Sequence, residues 1–244
     1  SFCLGFGDIN DENDDAHIVA RQIGSTHEDF IVSKDTFDLY RQVIWHTEEP
    51  KINCLQGFLL AQQVGKRVKV ALSGLGGDEL FAGYDNNDFH YPMTLVSKLC
   101  GSGGVSSLSW LQARLPSPSF DHAMRALELG ENLHHPLAFY AILRNAFDHN
   151  GFLLNSMYAS PKCHWKNLSF ESLKPYFDSR NPDILNELLL LEMKTKLPND
   201  FLLTEDRVSM ANALEVRVPL LDKELVEFAC RLPSSEKYQR GNKK

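Results

Sequence analysis

Between Leu72 and Tyr84 the chain reads Leu72-Ser73-Gly74-Leu75-Gly76-Gly77-Asp78-Glu79-Leu80-Phe81-Ala82-Gly83-Tyr84. An apolar run, read as a buried strand, leads straight into three glycines and then into two adjacent carboxylates at a helix start. Glycine lets backbone N–H groups approach a ligand closely, and a helix N-terminus favours an anion. That arrangement suits phosphate. Two carboxylates would repel a bare phosphate, so Asp78 is read as the holder of a Mg²⁺ ion bridging carboxylate and phosphate oxygens. The same residues also spell a tight turn with Asp78 capping the following helix. Short glycine motifs recur by chance, and the loop alone supports both readings equally.

Other candidate groups carry less chemistry. The acidic stretch Asp8, Asp11, Glu12, Asp14, Asp15 lacks the sixth-position glycine and twelfth-position glutamate of a calcium loop, and it reads as a solvated loop near a helix start. Cys3, Cys54, Cys100, Cys163 and Cys230 are scattered and form no CxxC pair, which indicates neither a zinc site nor a disulfide framework. They read as small buried hydrophobes in a reducing, cytoplasmic setting. Cys163-His164 is adjacent in sequence only, and catalytic partners usually meet from distant positions.

The elements that must position the glycine loop follow from the apolar pattern. Phe2–Phe6, Phe30–Val32 and Arg67–Leu72 read as strands. Helices are expected from Ala16 to a stop at Gly24, from about Thr36 to Trp45 before Pro50, and from Leu55 to Val64 before Gly65. Strands spaced by helices of this length predict parallel pairing and a layered α/β sheet with flanking helices. Residues 101–119 are rich in Gly, Ser and Pro and read as a loop. Beyond them the chain reads as mostly helical, with Ile184, Leu188 and Leu191 on one face and further helices around Arg207–Leu214 and Lys223–Leu232. On this pattern 1–92 form an α/β part that carries the glycine loop, 93–180 a helical insert, and 181–244 a further helical part.

The 244 residues, with 43% hydrophobic and 23% charged, rule out wholesale disorder or a fibrous repeat. Against 25 Lys+Arg stand 32 Asp+Glu, a formal net charge of −7, which argues against a nucleic-acid surface. No apolar run approaches the eighteen or so residues of a membrane span.

The string Ser-Gly-x-Gly-x-Asp-Glu-x-x-x-Gly-Tyr, here Ser73 to Tyr84, resembles the second nucleotide-site motif of the asparagine synthetase family. Asp11-Glu12, Ala16, Val19-Ala20, Gly24 and His27 look like that family's first helix after its nucleotide strand. Trp45-His46 with Glu49-Pro50 is similar to its W-x-x-x-E-P turn. The block from Asp206 to Asp222 resembles its D-R-x-S-M-A…E-x-R-x-P-x-L-D segment. The three motifs stand in the family's order and cover about 1–35, 45–90 and 185–244.

The resemblance implies an adenine nucleotide alpha hydrolase-like synthetase (ATP-pyrophosphatase) domain, with ATP and Mg²⁺ adenylating a carboxylate, aspartate in the family. Ammonia, freed from glutamine by a separate glutaminase domain, then displaces AMP to give the amide. By position, Leu4 would line the adenine pocket, and Ser73, Gly74, Gly76 and Gly77 would contact the nucleotide. Asp78 would hold Mg²⁺ and pyrophosphate. Arg207, Glu215 and Lys244 would be catalytic, with Lys244 in the pattern Gly241-x-x-Lys244 and Lys243 as the alternative register. If one helix continued that far, Arg207 and Glu215 would share a face with Ala211 between them. An ordinary salt bridge of Glu215 or Asp222 with a nearby arginine is an equal reading. A homodimer is compatible with this picture.

Three departures shape the expectation. The family's Ser-Gly-Gly-x-Asp-Ser loop and its glutaminase domain would both precede Ser1, so the chain is expected to be a truncated piece, inactive alone and weak in binding ATP. Leu75 stands where asparagine synthetases carry a glutamate, so the carboxylate substrate is expected to differ. A cyclising ligase on the same scaffold is the rival enzyme, and a non-catalytic binding module is the rival from another class.

Overall fold

Along Asn53–Val64 (α3) Cys54, Leu55, Phe58, Leu59, Ala61 and Val64 are all buried, and Gln56 stays exposed. So wide an apolar face has to be covered by several elements, and those of its unit pack around it. The computed structural model describes residues 1–7, 13–32, 34–51, 53–84, 137, 140 and 171–238. Asp8, Asp11, Glu12, the stretch 101–119, Cys163-His164, Lys243 and Lys244 lie outside the described residues. The chain divides into two units: Ser1–Gly76 with Lys196–Lys223, and Gly77–Thr195 with Glu224–Lys244.

In the first unit β1 (Phe2–Gly5) pairs in parallel with β2 (Glu28–Ile31), Leu4 opposite Phe30. They are joined through α1 (Asn13–Ile23), with Asp14 and Asp15 in its first turn, where carboxylates suit the helix dipole. It stops at Gly24, whose φ of 67° lets Ser25 N–H reach back to the Ala20 carbonyl. A 3₁₀ turn, Lys34–Leu39, leads into α2 (Tyr40–Thr47) and then α3. β3 (Val70–Leu72) pairs in parallel with β4 (Glu215–Arg217), Val70 opposite Glu215. Between the units' segments, α6 (Leu203–Met210) returns to pack on α3, entered through a π-helical turn, Leu197–Leu202.

Two clusters form this core. Val43, Cys54, Leu55, Phe58, Leu59 and Val208 make one, with Leu4 and Tyr40 packed against it. Ala61, Val64 and Leu214 make the other, under Ala71 and Val216 of the β3–β4 pair. Gly65 closes α3 where a Cβ would stand 2.8 Å from the Asn212 carbonyl oxygen, so only glycine admits the turn after α6 this closely.

The expected parallel pairing of an α/β fold is present among the described residues, as two two-stranded sheets. One expectation is corrected. The expected strand Arg67–Leu72 shrinks to Val70–Leu72, because the Arg67 and Val68 N–H groups both hydrogen-bond back to the Val64 carbonyl and finish the helix instead. Nor is β3 fully buried: Leu72 is 74% exposed, since α3 covers only the opposite face, where Ala71 points.

In the second unit α4 (Gly77–Phe81) is a single turn, and α5 (Ile184–Lys194) is the long element. Ala82, Leu185 and Leu189 form its core with Tyr238 alongside. Asp183 caps α5 by accepting from Asn186 N–H at 3.2 Å, and the same carboxylate accepts from Ser234 N–H at 2.9 Å, where α8 (Ser234–Lys237) begins. One side chain thus caps two helices. Between them runs α7 (Lys223–Arg231).

Candidate functional site

The first unit holds a cavity of about 850 Å³, within the range of small-molecule sites. Its wall includes Ser73, Gly74 and Leu75 at the end of β3, and Thr204, Glu205 and Ser209 on α6. The strand ends where Ser73 N–H donates to the Arg217 carbonyl at 2.8 Å, and the chain then turns, with Leu75 N–H directed to Ser73 Oγ at 3.4 Å.

The glycines after this strand have different physical reasons. Gly76 sits at φ 95°, where side chains are strained, and a Cβ there would collide with the Leu221 side chain. Its identity is fixed by the protein's own packing. Gly74 is exposed, and a Cβ there would meet nothing within 4 Å. The protein does not need Gly74 to be small, whereas a ligand lying on the backbone would.

Glu205 is carried on α6 to the cavity wall that Ser73 also lines, near enough for the Ser73 hydroxyl to favour the charged carboxylate. Burial pushes the Glu205 carboxyl above its ordinary range, and the Ser73 hydroxyl offsets part of that. Neither the glycine motif nor the Asp206–Asp222 block singled out Glu205. The available signal was spacing: Glu205 and Ser209 are one helical turn apart, and both face the cavity.

Arg207, two residues on, points elsewhere. It donates to the Thr47 carbonyl oxygen at the end of α2, and its Nη2 lies 3.3 Å from Glu48 Oε2. The W-x-x-x-E-P turn and the D-R-x-S-M-A helix therefore meet through a side chain. Beside them Lys51 is held by Glu49 and by Asp200 at 2.9 Å. Burial alone would lower the Lys51 ammonium, but these two bonds outweigh it and raise it.

The shared helical face of Arg207 and Glu215 is corrected. α6 ends at Met210, because Ala213 takes a left-handed φ of 53° and Asn212 Nδ2 turns back to the Val208 carbonyl at 2.9 Å. Glu215 stands on β4 beside Val70, exposed, and pairs with Arg217 at 2.8 Å. The salt-bridge reading describes Glu215 as the structure has it. Leu4 packs against the Val43–Phe58 cluster rather than on the cavity wall.

In the second unit the two adjacent carboxylates part ways. Glu79 is 1% exposed and accepts a hydrogen bond from the Tyr84 hydroxyl. Burial and that bond push the Tyr84 phenol far up. Asp78 faces solvent on the first turn of α4, and its carbonyl accepts from Gly83 N–H at 3.2 Å. A Cβ on Gly83 would overlap the Asp78 carboxylate. Of the pair, only Asp78 is exposed. Lys244 lies outside the described residues.

Comparison with known proteins gives a coherent set of relatives. The family model described as asparagine synthase matches residues 1–244. Asparagine synthetase [glutamine-hydrolyzing] 1 of Bacillus subtilis (strain 168) is 28% identical over 253 residues, covering 100% of this chain and 38% of that protein. Asparagine synthetase [glutamine-hydrolyzing] 2 of Lotus japonicus is 36% identical over 135 residues, 48% of this chain and 23% of that protein. The nodule asparagine synthetase [glutamine-hydrolyzing] of Pisum sativum is 28% identical over 148 residues, 53% of this chain and 25% of that protein. The chain thus spans well under half the length of these relatives.

Proposed function

The chain belongs to the asparagine synthase family, and from that membership we propose that it is part of a ligase forming amides through an acyl-adenylate. A carboxylate oxygen of the substrate attacks the α-phosphorus of ATP, and pyrophosphate leaves with the electrons of the broken P–O bond. Ammonia then attacks the activated acyl carbon and AMP departs, the surplus ammonium proton passing to solvent or a base. Adenylation replaces a poor leaving group with a good one, so the protein's work is positioning and charge neutralisation.

The single observation that carries this reading is the assembly in one unit of three motif segments far apart in sequence. Ser73 and Glu205 line the same cavity wall, and Arg207 of the same helix secures the Thr47–Glu48 turn. Ser73 and Gly74 hold the nucleotide, Gly74 being open to the backbone approach a phosphate requires. Gly76 and Gly77 shape the rest of that loop, and Leu4 supports the strand beneath the adenine. Asp78, at an exposed position, would hold Mg²⁺, which when bound neutralises charge on the leaving pyrophosphate. Glu215, Arg207 and Lys244 are the charged residues assigned to the acyl transfer by their places in the family pattern. The fold carrying them is read as the adenine nucleotide alpha hydrolase-like type, working in the cytoplasm on aspartate with glutamine-derived ammonia. Among the described residues no helix is long and apolar enough to cross a membrane.

The test is product identity. The protein that carries this chain, given ATP, Mg²⁺, ammonium and a panel of carboxylates, should release AMP and pyrophosphate in step with amide. ADP and phosphate would overturn the reading. Leu75 on the cavity wall favours one second reading, amidation or ring closure on a less polar carboxylate, because leucine offers no hydrogen bond. The same panel separates the two: aspartate should give the larger kcat/KM under the first and an apolar acid under the second.

A further inference from the structure

Beside the cavity, whose wall includes Ser1 and Ser25, three side chains of ligand type on α1 and at β2 come together. His17 Nε2 lies 2.6 Å from Asp29 Oδ2, and His27 Nε2 lies 3.1 Å from Asp29 Oδ1. The two imidazoles stand edge to face with centroids 4.6 Å apart. One ligand atom from each residue falls within 4.8 Å of the others. The folding that brings them together is simple. His27 immediately precedes β2 and Asp29 lies within it, two residues on, and His17 on α1 reaches the same Asp29 carboxylate. The His27 side chain is 7% exposed and that of His17 40%, so the cluster is walled within but reachable from outside.

We propose that His17, His27 and Asp29 form a binding site for a borderline divalent cation such as Zn²⁺ or Co²⁺. Two imidazole nitrogens and one carboxylate are the donor set such ions take, with the remaining positions filled by water. Both rings already turn Nε2 toward the same carboxylate, so small shifts replace the hydrogen bonds with coordination. A second observation concerns the outer partner. Ser1 Oγ lies 2.8 Å from His27 Nδ1 and 2.9 Å from Ser25 Oγ. A ligating imidazole needs an acceptor at its other nitrogen to fix its tautomer, and Ser1 Oγ is placed to be it.

The protons balance. Without the ion a carboxylate only accepts, so each Nε2 carries the hydrogen of its bond to Asp29. With the ion bound each Nε2 lends its lone pair to the metal. The neutral His27 ring then keeps its proton at Nδ1, donating to Ser1 Oγ, and the His17 ring keeps its own at Nδ1 facing water. The bound ion joins α1 to β2 and, through Ser1, to the start of β1. It would fasten three segments of the first unit at the edge of the cavity, whose wall includes Ser1.

Titration of the whole chain with Co²⁺ and with Zn²⁺, followed by calorimetry and by the visible d–d absorption of Co²⁺, tests this. One ion per chain is expected. His17→Ala, on an exposed helical position, and Asp29→Asn should each weaken binding by at least about tenfold at unchanged far-UV circular dichroism. His46→Ala, whose ring stacks on Phe58 away from the cluster, should bind as the parent does. No uptake of either ion at millimolar concentration would overturn the proposal. So would affinity that is unchanged in both His17→Ala and Asp29→Asn, which would leave the three residues as a hydrogen-bonded tie between helix and strand.

Discussion

Arg207 on α6 donates to the Thr47 carbonyl oxygen and places Nη2 3.3 Å from the Glu48 carboxylate, across 160 residues of sequence. Thr47 ends α2, where the last carbonyls have no intrahelical partner, and Glu48 follows in a left-handed conformation with φ 57°. A guanidinium answers both needs, satisfying a helix C-terminus and offsetting the exposed carboxylate. The hydrogen bond from a charged donor carries most of the energy, because the Glu48 partner is largely solvated. Arg207→Ala is expected to destabilise the chain by about 1.5–3 kcal/mol in urea unfolding. Arg207→Lys should recover only part of this, since an ammonium cannot reproduce the fork.

Gly76 and Gly74 should respond oppositely to the same substitution. Gly76→Ala introduces a side chain at φ 95° and drives it into Leu221, at an expected cost of about 1–3 kcal/mol. Gly74→Ala enters open space and should leave stability within about 0.5 kcal/mol of the parent. Its effect should fall on ATP instead, as a raised KM in the AMP-release assay. A thermal melt and that assay, run on both variants, separate a packing glycine from a ligand glycine.

Much of this was legible in the residues, and the losses have identifiable causes. α3 and α5 were readable because their apolar positions repeat at helical spacing over three turns. β3 is shorter than its composition suggests, because Arg67 and Val68 have strand-like composition while their N–H groups are taken by the Val64 carbonyl. α6 ends sooner than its pattern suggests, because nothing in Ala211-Asn212-Ala213 announces a left-handed residue; the turn is fixed by Asn212 reaching the Val208 and Phe58 carbonyls. Glu205 is not legible in the sequence, because Ser73, with which it lines the cavity, is distant along the chain. Nothing in the motif tells the two adjacent carboxylates apart, whereas packing does: Glu79 is buried against the Tyr84 hydroxyl and Asp78 is exposed.

Asp183 caps α5 and receives the first N–H of α8, so its removal should cost more than an isolated cap. Asp183→Ala is expected to destabilise by about 0.5–2 kcal/mol, toward the upper end. Burial alone would raise this carboxyl, but the hydrogen bonds from Ser234 and Asn186 and the nearby Lys237 ammonium outweigh it and hold it below the ordinary range. A depressed folded-state value means stabilisation that is complete above the unfolded value of about 3.9 and is lost as pH falls through the folded one. Asp183→Asn keeps a capping oxygen without the charge. Its unfolding midpoint should therefore differ from the parent's at neutral pH and converge on it in acid.

Glu205 should show the reverse dependence. Burial raises its carboxyl in the folded chain, and the Ser73 hydroxyl only partly offsets this. The folded state therefore holds the proton more tightly than the unfolded one, and ionisation weakens folding. The deficit is absent below the unfolded value of about 4.3, grows as pH rises, and is complete above the folded value. Glu205→Gln retains the shape and a partner for Ser73 while removing the charge. It is expected to raise the melting temperature at pH 7–8, with the gain shrinking steadily toward pH 4. Ser73→Ala should act in the other direction, removing the hydroxyl that favours the carboxylate and deepening the loss at neutral pH. A gain for Glu205→Gln that stayed constant from pH 4 to pH 8 would mean the effect is packing rather than charge, and that the acid on the cavity wall is not held in its raised state.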